Sequence, residues 1–227
     1  MTPQASFVIP VKDGAAYLAE TLDSCLAQTR SRWEAVIVDD GSTDSTPKII
    51  DYYEKKDERF RSIVFPVNRG RSAARNAGCI EAVSDILLML DADDLCFPNR
   101  LADTLSFFKK NPRTHICYGQ FQVMDALGKI LGHQDATPMD WEKSKKEKLW
   151  YIGHSTLAFR KKVFEKAQYT VGDWSDHAID DWKFIADCHK EGLKFGPIQR
   201  MMMKYRWMPK PRDEEKILAL KTEWLSR

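Results

Sequence analysis

Short apolar runs alternate with helical patterns along the first hundred residues of the chain. The apolar runs predict strands, and apolar residues spaced three or four apart predict amphipathic helices. This alternation is typical of βαβ units with a mostly parallel sheet. Thr46 is predicted to cap the second helix, with Pro47 in its first turn. The predicted strands are residues 7–11, 35–38, 62–66 and 86–90, and the predicted helices are residues 15–28, a segment from 46 onward, and 72–83.

The pattern becomes less regular after residue 97. Residues 128–150 are polar, lysine-rich and weakly periodic, so we expect a long loop there with room for one short helix. The other predicted strands are residues 115–123, 156–159, 194–198 and 201–207, and the other predicted helices are residues 98–111, 161–166, 179–190 and an amphipathic 213–225. The whole pattern predicts an α/β fold with a mostly parallel central sheet flanked by helices and a mixed second half.

The composition is ordinary for a soluble globular protein, with 43% hydrophobic and 30% charged residues among 227. A net charge of +2 gives no sign of a nucleic-acid partner. The start of the sequence has no basic leader and no apolar stretch reaches the ~20 residues that span a bilayer, so neither a signal peptide nor a membrane-spanning helix is expected. A cytoplasmic location is expected from the cysteines described below. The basic and aromatic residues 200–212 allow peripheral membrane contact, or a strand whose charges stay solvated. The cysteines are odd in number and lack C-x-x-C spacing, which favours reduced thiols: Cys25, Cys79, Cys96, Cys117 and Cys188.

Two acidic turns carry the candidate chemistry. Residues 39–42 read Asp-Asp-Gly-Ser and residues 91–94 read Asp-Ala-Asp-Asp, and each turn directly follows a predicted apolar strand. Ligands of open α/β sheets bind at this edge, and carboxylates there suit Mg²⁺ or Mn²⁺ that also holds substrate phosphates. Turn formation and helix capping are the alternative for either segment. That alternative is weaker for residues 91–94, because three crowded carboxylates repel one another unless a cation or a donor compensates them.

Four motifs follow one another in the first half of the chain. They are Val-Ile-Pro-Val at 8–11, Val-Asp-Asp-Gly-Ser-Thr-Asp at 38–44, Asn-Arg-Gly with Ala-Arg-Asn at 68–76, and Leu-Asp-Ala-Asp-Asp at 90–94. In this order and spacing the sequence resembles family 2 glycosyltransferases of the GT-A fold. The likeness is weaker beyond residue 97, where residues 159–164 and 179–182 are similar to later landmarks of the family.

The resemblance implies a fold and an activity. It implies one GT-A domain over residues 1–227, with a nucleotide-binding half at 1–97 and an acceptor-binding half at 98–227 that ends in the amphipathic helix. The implied reaction is the inverting transfer of a hexose or N-acetylhexosamine from a nucleotide-sugar, expected to be a UDP-sugar. The hydroxyl acceptor would belong to a glycan, a lipid-linked molecule or a protein, and Mn²⁺ or Mg²⁺ would be the cofactor.

The resemblance also implies which residues contact the nucleotide. Asp40 would accept a hydrogen bond from the uracil ring, and Arg71 or Arg75 would lie near the base or the diphosphate. Arg206 could bind the diphosphate through paired contacts, although Trp207 stands where family members often place a histidine. The remaining implied contacts to the nucleotide are Pro10, Val11 and Asp13.

Residues 91–93 match the family's aspartate-x-aspartate motif. The resemblance implies that Asp93 binds the metal and that Asp91 lies toward the ribose or a metal-bound water, with Ala92 between them. Asp44 and Asp94 are expected to cap or orient their neighbours. Asp91 and Asp93 are therefore the predicted metal ligands.

Asp181 is the candidate general base. The family's base is the second acid of a pair that opens a helix, and Asp180 and Asp181 match that pair just before Trp182. A positioned carboxylate of this kind can take the proton of an acceptor hydroxyl. The alternative is that both acids only favour the positive end of the helix, and Asp173 and Asp176 are rival bases.

Two other functional classes remain open at the level of sequence. One is a catalytically inactive relative that binds a nucleotide-sugar or acts as a scaffold. The other is a sugar nucleotidylyltransferase, although residues 12–15 lack the glycine- and arginine-rich loop expected after its first strand. An NAD-binding Rossmann protein is disfavoured because the first turn has no G-x-G-x-x-G. The sugar, the acceptor and the oligomeric state are not predicted.

Overall fold

A computed structural model of the protein describes residues 2–147, 152–172, 179–208 and 214–225. The strands are β1 (Ala5–Val11), β2 (Trp33–Asp39), β3 (Phe60–Val64), β4 (Ile86–Met89), β5 (Leu95–Cys96), β6 (Ile116–Met124), β7 (Ile130–Gln134), β8 (Ala158–Arg160) and β9 (Phe195–Arg206). The helices are α1 (Leu18–Leu26), α2 (Thr46–Lys56), α3 (Arg71–Glu81), α4 (Arg100–Lys110), α5 (Trp141–Glu147), α6 (Asp180–Lys190) and α7 (Glu214–Leu225), with 3₁₀ turns at His154–Thr156 and Lys161–Glu165.

The strands form one sheet in the order β3-β2-β1-β4-β8-β6-β9-β5, and β7 pairs with β6 outside this path. Strands β1 to β4 are mutually parallel. Strand β8 then runs antiparallel to both β4 and β6, whereas β9 runs parallel to β6 and antiparallel to β5. The predicted α/β fold with a parallel first half and a mixed second half is therefore confirmed.

The core occupies both faces of the sheet, because side chains alternate along each strand. On β1, Phe7 and Ile9 join the core cluster that also holds α1 and α2, whereas Val8 joins the cluster that holds α3 and α6. Strands β1, β2 and β4 are buried along almost their whole length, and the central part of each is a continuous apolar run. This is why the pattern of the first half predicted its strands well.

Two predictions for the second half were wrong. Residues 128–150 were expected to be a long loop with room for one short helix. Helix α5 is such a helix, but the strand β7 in the same range was not predicted. All five residues of β7 are exposed, including Ile130 and Leu131, so backbone pairing with β6 forms the strand without a buried apolar face. The two strands expected at 194–198 and 201–207 are the single strand β9, whose register against β6 shifts where Gln199 and Arg200 interrupt the pattern.

The cap of α2 also differs from the prediction. The backbone N–H of Thr46 donates to Asp44 Oδ1 at 2.9 Å. The side chain of Asp44 therefore accepts a hydrogen bond from the first turn of α2, the capping role that was predicted for Thr46. The hydroxyl of Thr46 instead accepts the N–H of Gly14 at 2.9 Å. Asp44 Oδ2 accepts the N–H of Ala15 at 3.0 Å, and this contact confirms that Asp44 orients its neighbours. The turns after β1 and β2 are thereby joined.

The closing helix α7 packs on α6. Ile217 and Leu220 are buried against Trp182 and Ala186 of α6. The indole Nε1 of Trp224 donates to Asp187 Oδ1 at 2.8 Å. The amphipathic helix therefore docks on its own domain. Within the described parts of the chain, no helix has both the length and the apolar character needed to span a membrane.

Gly78 allows α3 to pack closely on the sheet. A Cβ at this position would lie 2.6 Å from Val8 Cγ1 and 3.2 Å from Val38 Cγ2. Both neighbours are β-branched with stiff χ1 angles, so they cannot easily move aside. We expect Gly78→Ala to lower the free energy of unfolding by about 1–3 kcal/mol, even though alanine is the better helix former.

Urea unfolding followed by circular dichroism measures this loss, and Gly132→Ala is the matched control. Nothing lies within 4 Å of a Cβ built at Gly132 on the exposed strand β7. The control should change the free energy of unfolding by no more than about 0.5 kcal/mol. Equal stability of the two variants would contradict the close packing of α3.

Candidate active site

Three turns meet at one edge of the sheet because their strands are parallel neighbours. Val11 at the end of β1 pairs with Asp39 at the end of β2, and Val8 pairs with Met89 of β4. The turns after β1, β2 and β4 therefore lie side by side at the carboxyl edge, where α/β proteins bind ligands. These turns contain both acidic motifs.

Asp40 is buried in the turn after β2. Its N–H donates to the carbonyl of Val11 at 2.8 Å, and its Oδ1 accepts the N–H of Arg69 at 2.6 Å. The neighbouring Gly41 has a φ of +72°, and a Cβ there would lie 2.7 Å from the backbone nitrogen of Asn68. Only glycine suits this conformation, so the motif at 38–44 fits tightly against the Asn-Arg-Gly segment.

Asp13 joins the turns after β1 and β2. Its Oδ1 accepts the N–H of Thr43 at 2.7 Å, and its own N–H donates to Ser42 Oγ at 2.9 Å. The hydrogen bond from Thr43 lowers the pKa of the Asp13 carboxyl. Asp13 has a φ of 48°, a left-handed conformation that is strained for a residue other than glycine. Just before it, Pro10 is half-buried and Val11 is buried.

In the Asp-Ala-Asp-Asp turn, the first three residues are partly accessible and the fourth is buried. Asp91, Ala92 and Asp93 are half-buried, whereas Asp94 is fully buried. Asp94 Oδ1 accepts the N–H of Arg206 at 2.8 Å, so Asp94 orients the end of β9 as expected. Burial, followed by the charges of Asp91 and Asp93, raises the pKa of Asp94 well above its usual range.

Arg75 of α3 contacts two carboxylates from different parts of the chain. Its Nη2 donates to Asp91 Oδ1 at 2.8 Å, and its Nη1 donates to Asp180 Oδ2 at 2.6 Å. Burial alone would raise the pKa of Asp91, but the nearby guanidinium of Arg75 outweighs it and holds that pKa well below its usual range. Asp91 is therefore ionised.

The acid pair at the start of α6 has one buried and one accessible member. Asp180 is fully buried, and Asp181 is half-buried with its Oδ1 accepting the N–H of Trp182 at 2.7 Å. Burial, and then the charge of Asp180, raise the pKa of Asp181. The half-exposed Arg71 places its Nε 4.0 Å from Asp180 Oδ1. The rival bases Asp173 and Asp176 lie outside the described residues.

Arg206 packs against the buried side of the Asp-Ala-Asp-Asp turn. Its Nε donates to the carbonyl of Asp93 at 2.9 Å, its Nη1 to the carbonyl of Ala126 at 2.9 Å, and its Nη2 to Glu20 Oε2 at 2.9 Å. The whole residue is only 4% exposed. The structure thus places Arg206 as a brace for this turn, a different place from the expected diphosphate contact. Trp207 beside it is half exposed.

Three polar residues of the site have contacts that sequence reasoning missed. His154 Nε2 lies 2.9 Å from the hydroxyl of Tyr169, and burial lowers the pKa of His154 to about 3, so its ring is neutral. The side chain of Asn76 exchanges two hydrogen bonds with the backbone of Tyr169. Ser155 Oγ accepts the N–H of Asp91 at 3.2 Å. The sequence drew attention to Asn76 through the Ala-Arg-Asn motif and to His154 as a possible polar contact to donor or acceptor, but it predicted neither contact with Tyr169.

The donor set of the site fits a divalent cation that shares its ligands with phosphate. Among the residues that the structure describes, no group of three His, Cys, Asp or Glu side chains is placed to hold a metal. Mg²⁺ and similar ions in phosphate-transfer sites commonly take one or two protein carboxylates, with phosphates and waters completing the shell. The ionised Asp91 and the half-buried Asp93 match that smaller set.

Comparison with known sequences is consistent with this geometry. The family model described as "Glycosyl transferase family 2" matches residues 6–167. An uncharacterized glycosyltransferase of Haemophilus influenzae is 28% identical over 189 residues, which cover 83% of this chain and 73% of the relative. The putative teichuronic acid biosynthesis glycosyltransferase TuaG of Bacillus subtilis is 34% identical over 138 residues, which cover 61% of this chain and 51% of the relative.

Solved structures share the fold. The fragment 1–349 of Staphylococcus aureus TarS has a TM-score of 0.75 at 16% identity, over 100% of this chain and 64% of the fragment. The same fragment in complex with UDP-GlcNAc has a TM-score of 0.74 at 17% identity, over 93% of this chain and 60% of the fragment. The chain therefore spans about half the length of TuaG and under two thirds of the TarS fragment.

Proposed function

The chain belongs to glycosyl transferase family 2, and from this premise we propose that it transfers a sugar from a UDP-sugar to an acceptor hydroxyl with inversion. The observation that carries the proposal is the Arg75 bridge, because it brings Asp91 of the acidic turn and Asp180 of α6 to opposite ends of one guanidinium. The proposed donor-binding turn and the helix that carries the candidate base Asp181, the residue after Asp180, thus share one site.

The proposed nucleotide pocket lies between the turns after β1 and β2. Asp40 Oδ1 is held by the N–H of Arg69, and we assign Asp40 Oδ2 to accept the ring N–H of uracil. Pro10, Val11 and Asp13 would border the base and ribose. A solved neighbour that binds UDP-GlcNAc supports a UDP-sugar as the donor. The sugar itself, a hexose or N-acetylhexosamine, is part of the proposal.

Arg71 is our candidate for the diphosphate, in preference to Arg75 and Arg206. Both terminal nitrogens of Arg75 already donate to carboxylates, and all three nitrogens of Arg206 donate within the protein. Arg71 is more accessible, with a side chain 41% exposed, and stands in the first turn of α3. The N-terminus of a helix adds a favourable field for a phosphate group.

Asp91 and Asp93 would hold Mn²⁺ or Mg²⁺ against the diphosphate. A bound divalent ion neutralises the negative charge that grows on the departing nucleotide. The residues of the chain prepare this place. Arg206 braces the carbonyl of Asp93 from behind, and Arg75 keeps Asp91 ionised.

Asp181 would act as the general base. The acceptor oxygen attacks the anomeric carbon, the bond from that carbon to the diphosphate oxygen breaks, and Asp181 takes the proton of the acceptor hydroxyl. A raised pKa brings a carboxylate closer to the working pH, which improves it as a base. Asp181 is half-buried, so part of the residue stays accessible.

The acceptor is proposed to be a hydroxyl of a glycan, a lipid-linked molecule or a protein. The relative described as a teichuronic acid biosynthesis enzyme supports a role in polysaccharide synthesis. A cytoplasmic location with peripheral contact at the inner face of the membrane would suit such an acceptor. No nucleic acid is expected as a partner.

A ligand screen tests the proposal. We expect UDP-sugars with Mn²⁺, but not GDP- or dTDP-sugars, to raise the melting temperature and to release UDP. A ligand at a hundred times its Kd stabilises the folded state by about 2.7 kcal/mol, which shifts Tm by several degrees for a chain of this size. Tight UDP binding without turnover would favour the inactive binding protein or scaffold. Formation of a nucleotide-sugar from a nucleoside triphosphate and a sugar phosphate would favour the nucleotidylyltransferase.

A further inference from the structure

Arg75 connects the two halves of the candidate site. It lies on α3, and its two terminal nitrogens reach Asp91 in the acidic turn and Asp180 at the start of α6. Resting on the proposed function, we propose that Arg75 is a positioning residue that couples the donor-binding turn to the helix that carries the base. It touches neither sugar nor acceptor in this role.

The bridge is buried, which separates it from an ordinary surface ion pair. Arg75 is 3% exposed and Asp180 is fully buried. A buried ion pair costs desolvation energy, and apolar residues of similar size often stabilise a fold as well or better. Stability alone is therefore a weak reason for this arrangement. Its consequence is a fixed geometry between residues 91 and 180.

The guanidinium is itself held in place. Its carbon lies 5.5 Å from the centre of the Tyr169 ring, and that ring stacks on Phe184 of α6 with centroids 4.3 Å apart. Asn76, the next residue on α3, hydrogen-bonds the backbone of Tyr169 twice. Arginine can span two carboxylates through its planar fork, whereas lysine offers a single ammonium. Arg75 therefore has one defined orientation.

The coupling follows from chain connectivity. Asp181 is the residue after Asp180, so fixing the side chain of Asp180 fixes the backbone from which Asp181 projects. Asp91 stands on the donor side of the same guanidinium. When a donor orders Asp91, it also restrains Arg75 and, through it, the first turn of α6. The bridge already fixes the first turn of α6, and we expect this turn to open less often once the donor is bound.

The double variant with Arg75→Met and Asp180→Asn tests this role. Arg75→Met alone would leave the carboxylate of Asp180 buried without its partner, which threatens folding. Removing both charges avoids that problem. Because Arg75 also helps to keep Asp91 ionised, the variants are compared at saturating UDP-sugar and saturating Mn²⁺. Under these conditions we expect the double variant still to bind UDP while kcat falls about 100-fold, the size of effect that a misplacement of about 1 Å can cause. Arg75→Lys should lose less of kcat, because it keeps a charge at Asp180.

Hydrogen exchange gives a readout that does not need turnover. In the unaltered chain, UDP with Mn²⁺ should slow amide exchange in residues 180–183, and the double variant should lose this effect while still binding UDP. The matched control is Arg61→Met with Glu34→Gln, which removes a partly buried pair 2.8 Å apart at another edge of the sheet. That control should lower Tm but keep both kcat and the slowed exchange.

The outcomes separate this inference from the proposed function. A folded double variant with the kcat of the unaltered chain, or with the slowed exchange intact, overturns the role of Arg75. Absence of the UDP effect on residues 180–183 in the unaltered chain overturns it as well. If the unaltered chain binds UDP and transfers no sugar, the proposed activity fails. Even then, amide hydrogen exchange in residues 180–183 shows whether donor binding is coupled to the first turn of α6.

Discussion

Replacing Asp181 by asparagine is expected to lower kcat by about 10²–10⁴-fold, the usual contribution of a positioned general base. Asparagine keeps the size of the side chain and its oxygen can still accept the N–H of Trp182, so the start of α6 should be preserved. The variant should bind UDP with the affinity of the unaltered chain. The loss of kcat is measured as the rate of sugar transfer at saturating donor, with the release of UDP as the readout.

The pH dependence of kcat/KM gives a second measure of the same residue. Burial and the charge of Asp180 raise the pKa of Asp181, so the base becomes protonated at a higher pH than an ordinary aspartate, whose pKa is about 3.9. The rate of the unaltered chain should therefore fall as the pH decreases through this raised pKa. In Asp181→Asn, kcat/KM should no longer show this fall at low pH, the acid limb of the profile.

Asp51→Asn serves as the control for Asp181→Asn. Asp51 is exposed on α2 and pairs with Lys55 at 2.7 Å on the surface, where ion pairs contribute little. Its removal should leave both kcat and the pH profile unchanged. If Asp181→Asn also keeps the kcat and the acid limb of the unaltered chain, Asp181 is not the base.

The position of the acidic turns could be predicted because local signals agree with the fold in the first half. Buried strands read as apolar runs, and parallel strands place their following turns at one edge. The turns that hold Asp40, Asp91 and Asp93 could therefore be placed at one edge of the sheet from sequence. The exposed strand β7 shows the limit, because its side chains carry no apolar alternation and only its backbone pairing reveals it.

The partners of the buried arginines could not be predicted, because those contacts join distant parts of the chain. Arg75 reaches Asp180 across 105 positions, and Arg206 reaches Glu20 across 186. A sequence shows that an arginine follows a motif, but its burial and the carboxylate that it faces depend on packing. For this reason Arg206 read as a diphosphate ligand, whereas the structure uses all three of its nitrogens inside the protein.

Asp93→Ala is expected to abolish most metal-dependent release of UDP, with kcat/KM falling by at least about 100-fold, since a metal contributes several kcal/mol to stabilising the leaving group. Asp93 gives a cleaner test than Asp91, whose loss would leave Arg75 with one carboxylate fewer in a buried place. Arg206 holds Asp93 through the backbone carbonyl, which alanine retains, so the turn should keep its shape. Titration of Mn²⁺ at fixed UDP-sugar measures the effect, with the exposed Asp23→Ala on α1 as the control. An Asp93→Ala protein with the Mn²⁺ dependence of the unaltered chain would show that the cation binds elsewhere.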